Sequence, residues 1–213
     1  MPFSFVHYLQ NKRIVLASGS QRRQEILSKL GLSFDVVPSK FPENLDKSNY
    51  TPFEYVIENA TEKGLEVYGR LVQEDQEVDI VIAADTIVSI DGNILEKPKD
   101  TEDALRILKK LNGRSHQVYT GIALIYPLTE PVHPGYNIIT FLEETEVIFR
   151  ECSEEDFKVY VETGEPMDKA GAYGYQGLGS FFVEKINGCY YNVVGLPSKV
   201  FKELEKLVKD KEI

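Results

Sequence analysis

The sequence predicts an α/β fold, built on a mixed, partly antiparallel sheet with flanking helices. Three observations carry this. Ile14-Val15-Leu16-Ala17 reads as a buried strand that turns at Ser18-Gly19-Ser20 into a helix with Ile26, Leu27 and Leu30 on one face. Asp79 to Asp85 reads as a second buried strand, Ile80-Val81-Ile82-Ala83-Ala84, that ends in a carboxylate and continues through Thr86 to Ile90. Two long strand-like runs, Gln117 to Tyr126 and Ile138 to Arg150, then follow each other with no helix between them. Alternating strands and helices favour parallel neighbours, whereas consecutive strands favour antiparallel ones.

Taken in order, the opening helix closes at Gly31, and Phe34 to Val37 forms a short strand stopped by Pro38. Ser39 to Tyr50 is polar and loop-like. Thr51-Pro52-Phe53-Glu54 supplies an N-cap, a proline at the first helical position and a capping glutamate, so a helix is expected to about Gln73. Asp91-Gly92 is a hairpin signal that brings Ile94 and Leu95 back beside Thr86–Ile90, before Glu96-Lys97-Pro98. A helix is expected from about Thr101 to Leu111, stopped at Asn112-Gly113. A Pro-rich loop from Pro127 to Gly135 separates the two long strands. In the second of them Thr145, Val147 and Phe149 alternate with Glu144, Glu146 and Ile148, the pattern of a sheet with one wetter face. Ser153-Glu154-Glu155-Asp156 opens a further capped helix to about Glu162. The stretch Gly164 to Gly179 is irregular and Gly-rich, and loops of that length in compact domains are usually functional or disordered; its aromatic, apolar and charged residues weigh against disorder. Strands at Phe181 to Ile186 and Tyr190 to Val194 and a closing helix from Pro197 to Lys209 complete the chain, which reads as a single domain over 1–213.

Bulk composition narrows the function. A net charge of −10, from 24 basic and 34 acidic residues, argues against nonspecific nucleic-acid binding. An anionic ligand would need a local positive field. The 2 cysteines, Cys152 and Cys189, are too few for a disulfide framework and fit a reducing compartment. Met1 to Lys12 lacks the apolar core of a signal peptide, and no run approaches a membrane span. A cytoplasmic protein without nucleic-acid or membrane partners is expected.

Asp85 is the sharpest candidate for chemistry. A carboxylate after five apolar strand residues is costly unless it is solvated, paired or metal-bound. It reads as a water-activating base, a metal ligand or, more plainly, a turn cap. Arg22 and Arg23 lie in the first turn of a helix, the end that already carries positive dipole charge. That placement, with the hydroxyls of Ser18 and Ser20, suits a phosphate chain, although a surface arginine pair reads equally well. Glu96 and Lys97 either decorate a surface loop or are returned towards Asp85 by the short hairpin. Lys63 and Lys169 add cations from two other segments, and convergence of all five would offset a triphosphate. His7, His116 and His133 lack metal-ligand spacing, so any metal should be hard and oxygen-bound, as Mg²⁺ is. In the Gly-rich stretch, Gln176 offers an amide to a base edge, or the stretch is a solvated entry to a strand. No Walker loop, G-x-S-x-G elbow or Rossmann glycine pattern is present.

Taken together, the motifs resemble the Maf family of nucleoside triphosphate pyrophosphatases. The matching pieces are Leu16-Ala17-Ser18-Gly19-Ser20-Gln21-Arg22-Arg23, Ala84-Asp85-Thr86-Ile87-Val88, Leu95-Glu96-Lys97-Pro98, Gly164-Glu165-Pro166 with Asp168-Lys169-Ala170-Gly171, Tyr173 with Gln176-Gly177-Leu178-Gly179, and Val193-Val194-Gly195-Leu196-Pro197. Gln21 departs from the family's usual proline. The resemblance implies a fold like that of inosine-triphosphatase-type enzymes, with two lobes around a cleft. It implies metal-dependent hydrolysis of a nucleoside triphosphate to monophosphate and pyrophosphate, a house-cleaning role, with Mg²⁺ the expected cofactor and Mn²⁺ its substitute. By resemblance Asp85 is the catalytic position, and Arg22, Thr86 and Gln176 set specificity. Ser18, Ser20, Arg22, Arg23, Lys63, Lys97 and Lys169 bind phosphate; Asp85, Glu43 and Glu96 hold the metal, with Asp168 in the same neighbourhood. The Asp-Thr pair and the Gln-Gly-Leu-Gly loop resemble the subgroup acting on dTTP, UTP and modified uridine or thymidine nucleotides. A homodimer is implied as well. A non-catalytic nucleotide-binding regulator and a nucleotidyltransferase are the rival readings.

Overall fold

The computed structural model describes residues 3–128 and 135–213. Residues 129–134 of the expected Pro-rich loop, His133 among them, lie outside the described residues.

The chain runs α1 (Ser4–Leu9), β1 (Ile14–Leu16), α2 (Gln21–Lys29), β2 (Asp35–Val36), α3 (Pro52–Gln73), β3 (Ile80–Ile90), β4 (Asn93–Leu95), α4 (Thr101–Leu111), β5 (Ser115–Pro127), β6 (Tyr136–Phe149), α5 (Glu154–Glu162), β7 (Val183–Asn187), α6 (Tyr190–Val194) and α7 (Lys199–Asp210). The strands form one 7-stranded sheet in the order β2-β1-β3-β5-β6-β7, with β4 beside β3. β2–β1–β3 are parallel and the remaining pairs antiparallel, as a mixed sheet requires.

β3 organises the molecule. Side chains alternate across a strand, so its even and odd residues serve different layers. On one side Ile80, Ile82 and Ala84 pack with Leu9, Leu27 and Leu204 of α1, α2 and α7. Further along the same side, Val88 and Ile90 pack with Leu108 and Phe157 of α4 and α5. Thr86 lies between these two cores. On the other side Val81 and Ala83 meet Ala60 and Val67 of α3, and Ile87 meets Tyr55 and Val56. Asp85 lies between those. The same strand is bare along part of one edge. β1 pairs with Ile80–Ile82 and β4 with Val88–Ile90, so, among the described residues, 83–87 have no strand neighbour there. That gap opens the sheet beside Asp85 and Thr86.

Gly121 of β5 sits opposite Asp85 in register and beneath α3. A Cβ there would fall 2.5 Å from the Val56 carbonyl oxygen, so only glycine lets α3 lie this close to the sheet. α3 itself begins as its sequence dictates, with Thr51 and Glu54 forming a reciprocal capping box and Pro52 in the first turn.

Three expectations are corrected, and one element is new. Asp85 is not at a strand end; it is mid-strand in a single β3 that runs on to Ile90. Tyr190–Val194 is helical rather than extended. Five residues are too few for periodicity to separate the two. Tertiary bonds decide the matter: the buried Asn192 amide donates to the Val118 carbonyl and to Thr145 Oγ1, and Gly195, at φ 118°, ends the turn. The strand expected over Phe181 to Ile186 starts only at Val183, after a 3₁₀ segment at Leu178–Phe182. Helix α1 is an element that the sequence reading did not include.

Candidate active site

The bare edge of β3 opens into a cavity of about 1190 Å³. Segments remote in sequence reach it: the turn after β1, the start of α2, one face of α3, the middle of β3, the loop after β4, and the stretch 165–177. Ser18, Ser20, Arg22, Arg23, Glu43, Lys63, Asp85, Thr86, Glu96, Lys97, Lys169 and Gln176 all line it. Every candidate residue named from the sequence is therefore brought to one place.

Their pairing is more specific than the sequence implied. Lys63 Nζ lies 2.7 Å from Asp85 Oδ1 and 3.0 Å from Glu43 Oε2. Glu43 reaches it from a left-handed backbone position, φ 49°, a strained conformation of the sort found at functional sites. Glu96 accepts a hydrogen bond from the Tyr55 hydroxyl at 2.9 Å and pairs with Lys47 at 2.5 Å. Asp168 joins Arg22 at 3.1 Å and Lys169 at 2.6 Å. Each nitrogen of the Arg23 guanidinium donates a hydrogen bond to the protein. Its Nε donates to the Gly195 carbonyl, and its two terminal nitrogens donate to Ser18 Oγ and Thr86 Oγ1, at 2.8, 3.0 and 3.1 Å. Thr86 in turn shares a hydrogen bond with Thr120, which donates to the Asn192 carbonyl. Arg23 thus ties the loop after β1 to the middle of β3 and to the end of α6.

Burial shapes the charges. Removal from water pushes the Asp85 carboxyl above the ordinary carboxylate value, and the adjacent Lys63 and Arg23 oppose this only in part. Burial also lowers the Arg23 guanidinium from its free value. Tyr55 is pushed up to about 12, chiefly by burial, with Glu96 adding to it, so its hydroxyl stays a donor. Burial acts on Asp168 in the opposite sense to its cations, yet Lys169 and Arg22 hold it below the usual range.

The five cations expected to converge do converge. They do not make a net positive pocket, because Glu25, Glu43, Asp85, Glu96, Glu165 and Asp168 line the same cavity. A triphosphate entering it would meet carboxylates as well as cations. The donor set available to a metal is oxygen throughout, which suits a hard divalent cation that shares its coordination with phosphate. Among the described residues no group of three or more His, Cys, Asp or Glu side chains clusters as a ready-made metal cage. A metal here would need oxygens from substrate or water.

Residues 13–207 match a family model described as Maf-like protein. The chain belongs to the Maf family. Among curated Maf relatives, a human "Probable bifunctional dTTP/UTP pyrophosphatase/methyltransferase protein" is 52% identical over 93% of this chain, which spans 32% of that protein. A Schizosaccharomyces pombe "dTTP/UTP pyrophosphatase" is 43% identical, covering 94% of this chain and 86% of its own length. A Clostridium perfringens protein of the same name is 47% identical, covering 91% and 96%. The Staphylococcus aureus Ham1 protein is a distant structural likeness, with TM-score 0.40 and 19% identity over 65% of this chain and 72% of that one. Among the described residues of this Maf chain no helix is long and apolar enough to cross a membrane.

Three residues at this Maf site escaped the sequence reading. Tyr55 reads as an apolar core position, and its ring is buried, yet its hydroxyl reaches Glu96. Asn59 is 1% exposed on the cavity wall. Tyr55, Asn59 and Lys63 are spaced by four, so they stack on one helical face. A polar stripe at that spacing beside an apolar one was the available signal. Glu165 stood inside a recognised motif without a role. Its carboxylate turns out to hold the Gly-rich stretch together.

Proposed function

We propose that this protein hydrolyses nucleoside triphosphates carrying uracil or thymine, UTP and dTTP among them, to the monophosphate and pyrophosphate. Modified uridine and thymidine triphosphates fall in the same substrate class, which would make the activity a house-cleaning one. The observation that carries the reading is the buried Asp85–Lys63 pair in a cavity also lined by Ser18, Arg22, Lys97 and Lys169. The names of the relatives point the same way.

In this reading Asp85 orients a water against the α-phosphorus and takes its proton, a role that its raised pKa favours. Lys63 fixes the direction of the Asp85 carboxylate. The new bond joins the water oxygen to the α-phosphorus, and the bond to the bridging oxygen of the β-phosphate breaks. Pyrophosphate leaves against Arg22, Lys97 and Lys169, while Arg23 braces the loop that carries Ser18 and Ser20. Arg22 and Lys169 are held ready by Asp168, whose charge phosphate oxygens replace. Asp85, Glu43 and Glu96, with oxygens of substrate or water, would hold a divalent cation such as Mg²⁺, which would supply the positive charge that the lining lacks. Most of the catalysis is positioning and charge stabilisation. Arg22, Thr86 and Gln176 would set specificity at the nucleoside end.

A panel of nucleoside triphosphates with Mg²⁺, scored for both products, tests the reading. Monophosphate and pyrophosphate in equal amounts are expected. Orthophosphate release, or a nucleotidyl group passed to an acceptor, would overturn it.

A further inference from the structure

The stretch that carries Gln176 is not an open loop. It is wound around one carboxylate. Glu165 Oε2 accepts from the Leu178 amide at 2.9 Å, and Oε1 accepts from the Gly179 amide at 3.1 Å and from the Tyr160 hydroxyl at 3.0 Å. The Tyr160 oxygen also accepts from the Gly174 amide at 3.2 Å. One side chain therefore reaches both ends of the turn 174–179, directly at 178 and 179 and through Tyr160 at 174.

The glycines follow from this. A Cβ on Gly177 would lie 2.5 Å from Glu165 Oε2, and one on Gly179 would lie 2.7 Å from the Tyr160 hydroxyl oxygen. The backbone closes on the carboxylate more tightly than any other residue allows. Gln176, at the outside of this turn, is exposed, and its side chain has no hydrogen-bond partner within the described protein. Its placement rests on the turn beneath it. Both Glu165 oxygens are taken by these donors, so this carboxylate is not free to act as a base or a metal ligand, although it borders the same cavity.

We propose that Glu165 is the positioning residue of base selection: by holding the amides of Leu178 and Gly179 and the Tyr160 hydroxyl, it fixes the 174–179 turn in the shape that presents Gln176 to the base. This deepens the pyrimidine reading and rests on it for the identity of the base. A carboxylate is needed because both of its oxygens accept. An amide would turn an N–H₂ group towards one of the donors. Glu165 acts through Gln176 and does not touch the reacting atoms, so its loss should fall on discrimination and on KM more than on kcat.

The test uses the full-length protein and the variants Glu165→Gln and Gly177→Ala. The second displaces the same turn and leaves the carboxylate intact, so it decides the matter where the first fails to fold. Two readouts are taken. In one, kcat and KM are measured for UTP and CTP. In the other, binding of the non-hydrolysable α,β-methylene analogues of UTP and CTP is measured beside hydrogen exchange of the amides in 174–179. The expected result is faster exchange at Leu178 and Gly179, at least a tenfold fall in the preference for UTP over CTP, and most of the change in KM. If the wild type binds the UTP analogue selectively but hydrolyses nothing, the pyrophosphatase reading fails, while a loss of that selectivity in the variants still supports the role of Glu165. The proposal is overturned if the variants keep the UTP preference, if kcat falls equally for both nucleotides with KM unchanged, if exchange at 178 and 179 stays as slow as in the wild type, or if the wild type itself shows no preference.

Discussion

Lys63 Nζ stands 2.7 Å from Asp85 Oδ1 and 3.0 Å from Glu43 Oε2, one buried ammonium between an inner and an outer carboxylate. This arrangement joins α3, the middle of β3 and the loop before α3. Asp85→Asn should leave Lys63 paired with Glu43 and the fold intact. Turnover should drop by about 10²–10⁴, the range of a positioned acid–base group. Pyrophosphate release measured beside a thermal melt checks this. Near-normal turnover in a folded variant would reduce Asp85 to a partner of Lys63.

Activity should depend on a divalent cation. Among the described residues five cations and six carboxylates line the cavity, so these side chains alone do not neutralise a triphosphate. EDTA treatment should abolish pyrophosphate release, and added Mg²⁺ should restore it. Undiminished turnover after removal of all divalent metal would show that the lining suffices by itself.

Base preference should reside partly in Gln176. Its amide can pair with the N3–H and a carbonyl of uracil or thymine, whereas cytosine leaves groups unpaired. Sites built on such bonds reject wrong partners strongly, while a 5-methyl group is worth only roughly 1–3 kcal/mol. UTP, dTTP and 5-methyl-UTP should therefore all be turned over, ahead of CTP, GTP and 7-methyl-GTP. In Gln176→Ala the spread of kcat/KM values should narrow. An unchanged ranking and spread would remove Gln176 from recognition.

The packing of α3 on the sheet should tolerate no side chain at Gly121. Gly121→Ala places a methyl group 2.5 Å from the Val56 carbonyl oxygen and 2.8 Å from the Ile57 nitrogen. Overpacking of this sort costs about 1–3 kcal/mol. Because Lys63 rides on α3 and Asp85 on β3, turnover should fall together with the denaturation midpoint. Wild-type stability would mean that α3 can shift without loss.

Stability should carry an acid limb from His116. This ring is fully buried, bonded through Nε2 to the Tyr173 hydroxyl at 2.8 Å, and packed edge-on against Phe149. Burial lowers its folded-state pKa from 6.5 to about 4. The unfolded chain then takes up the proton first on acidification. The contribution is fully present above pH 6.5 and is lost as pH falls from there towards 4, by roughly 3 kcal/mol. Urea midpoints at pH 7.5 and 4.5 should differ more in the wild type than in His116→Gln. Equal differences would show that His116 titrates normally.

Most of the elements are legible in the local sequence, and so are many of the residues that line the cavity. Capped helices such as 52–73 and 101–111 are written in local chemistry, because Thr51, Pro52 and Glu54 satisfy the first turn without help from elsewhere. Alternation at Thr145, Val147 and Phe149 marked the buried face of β6 in the same way. The ordered motifs singled out residues that now share one cavity. The remaining features depend on contacts between distant segments. The five residues at 190–194 are too short to choose a conformation and take helix because Asn192 finds partners on β5 and β6. Asp85 lies inside β3 rather than at its end because β5 pairs with β3 without a break from Val81 to Ser89, Asp85 opposite Gly121, while β1 and β4 leave the other edge bare beside it. Charge balance in the cavity was not legible either. Counting lysines and arginines along a chain says nothing of which carboxylate each will meet, and here Asp168, Glu43 and Glu96 each meet a cation from another segment. Glu165 makes the same point. Three glycines downstream of it are legible as a turn, but the carboxylate they wrap becomes visible only when the backbone closes on it.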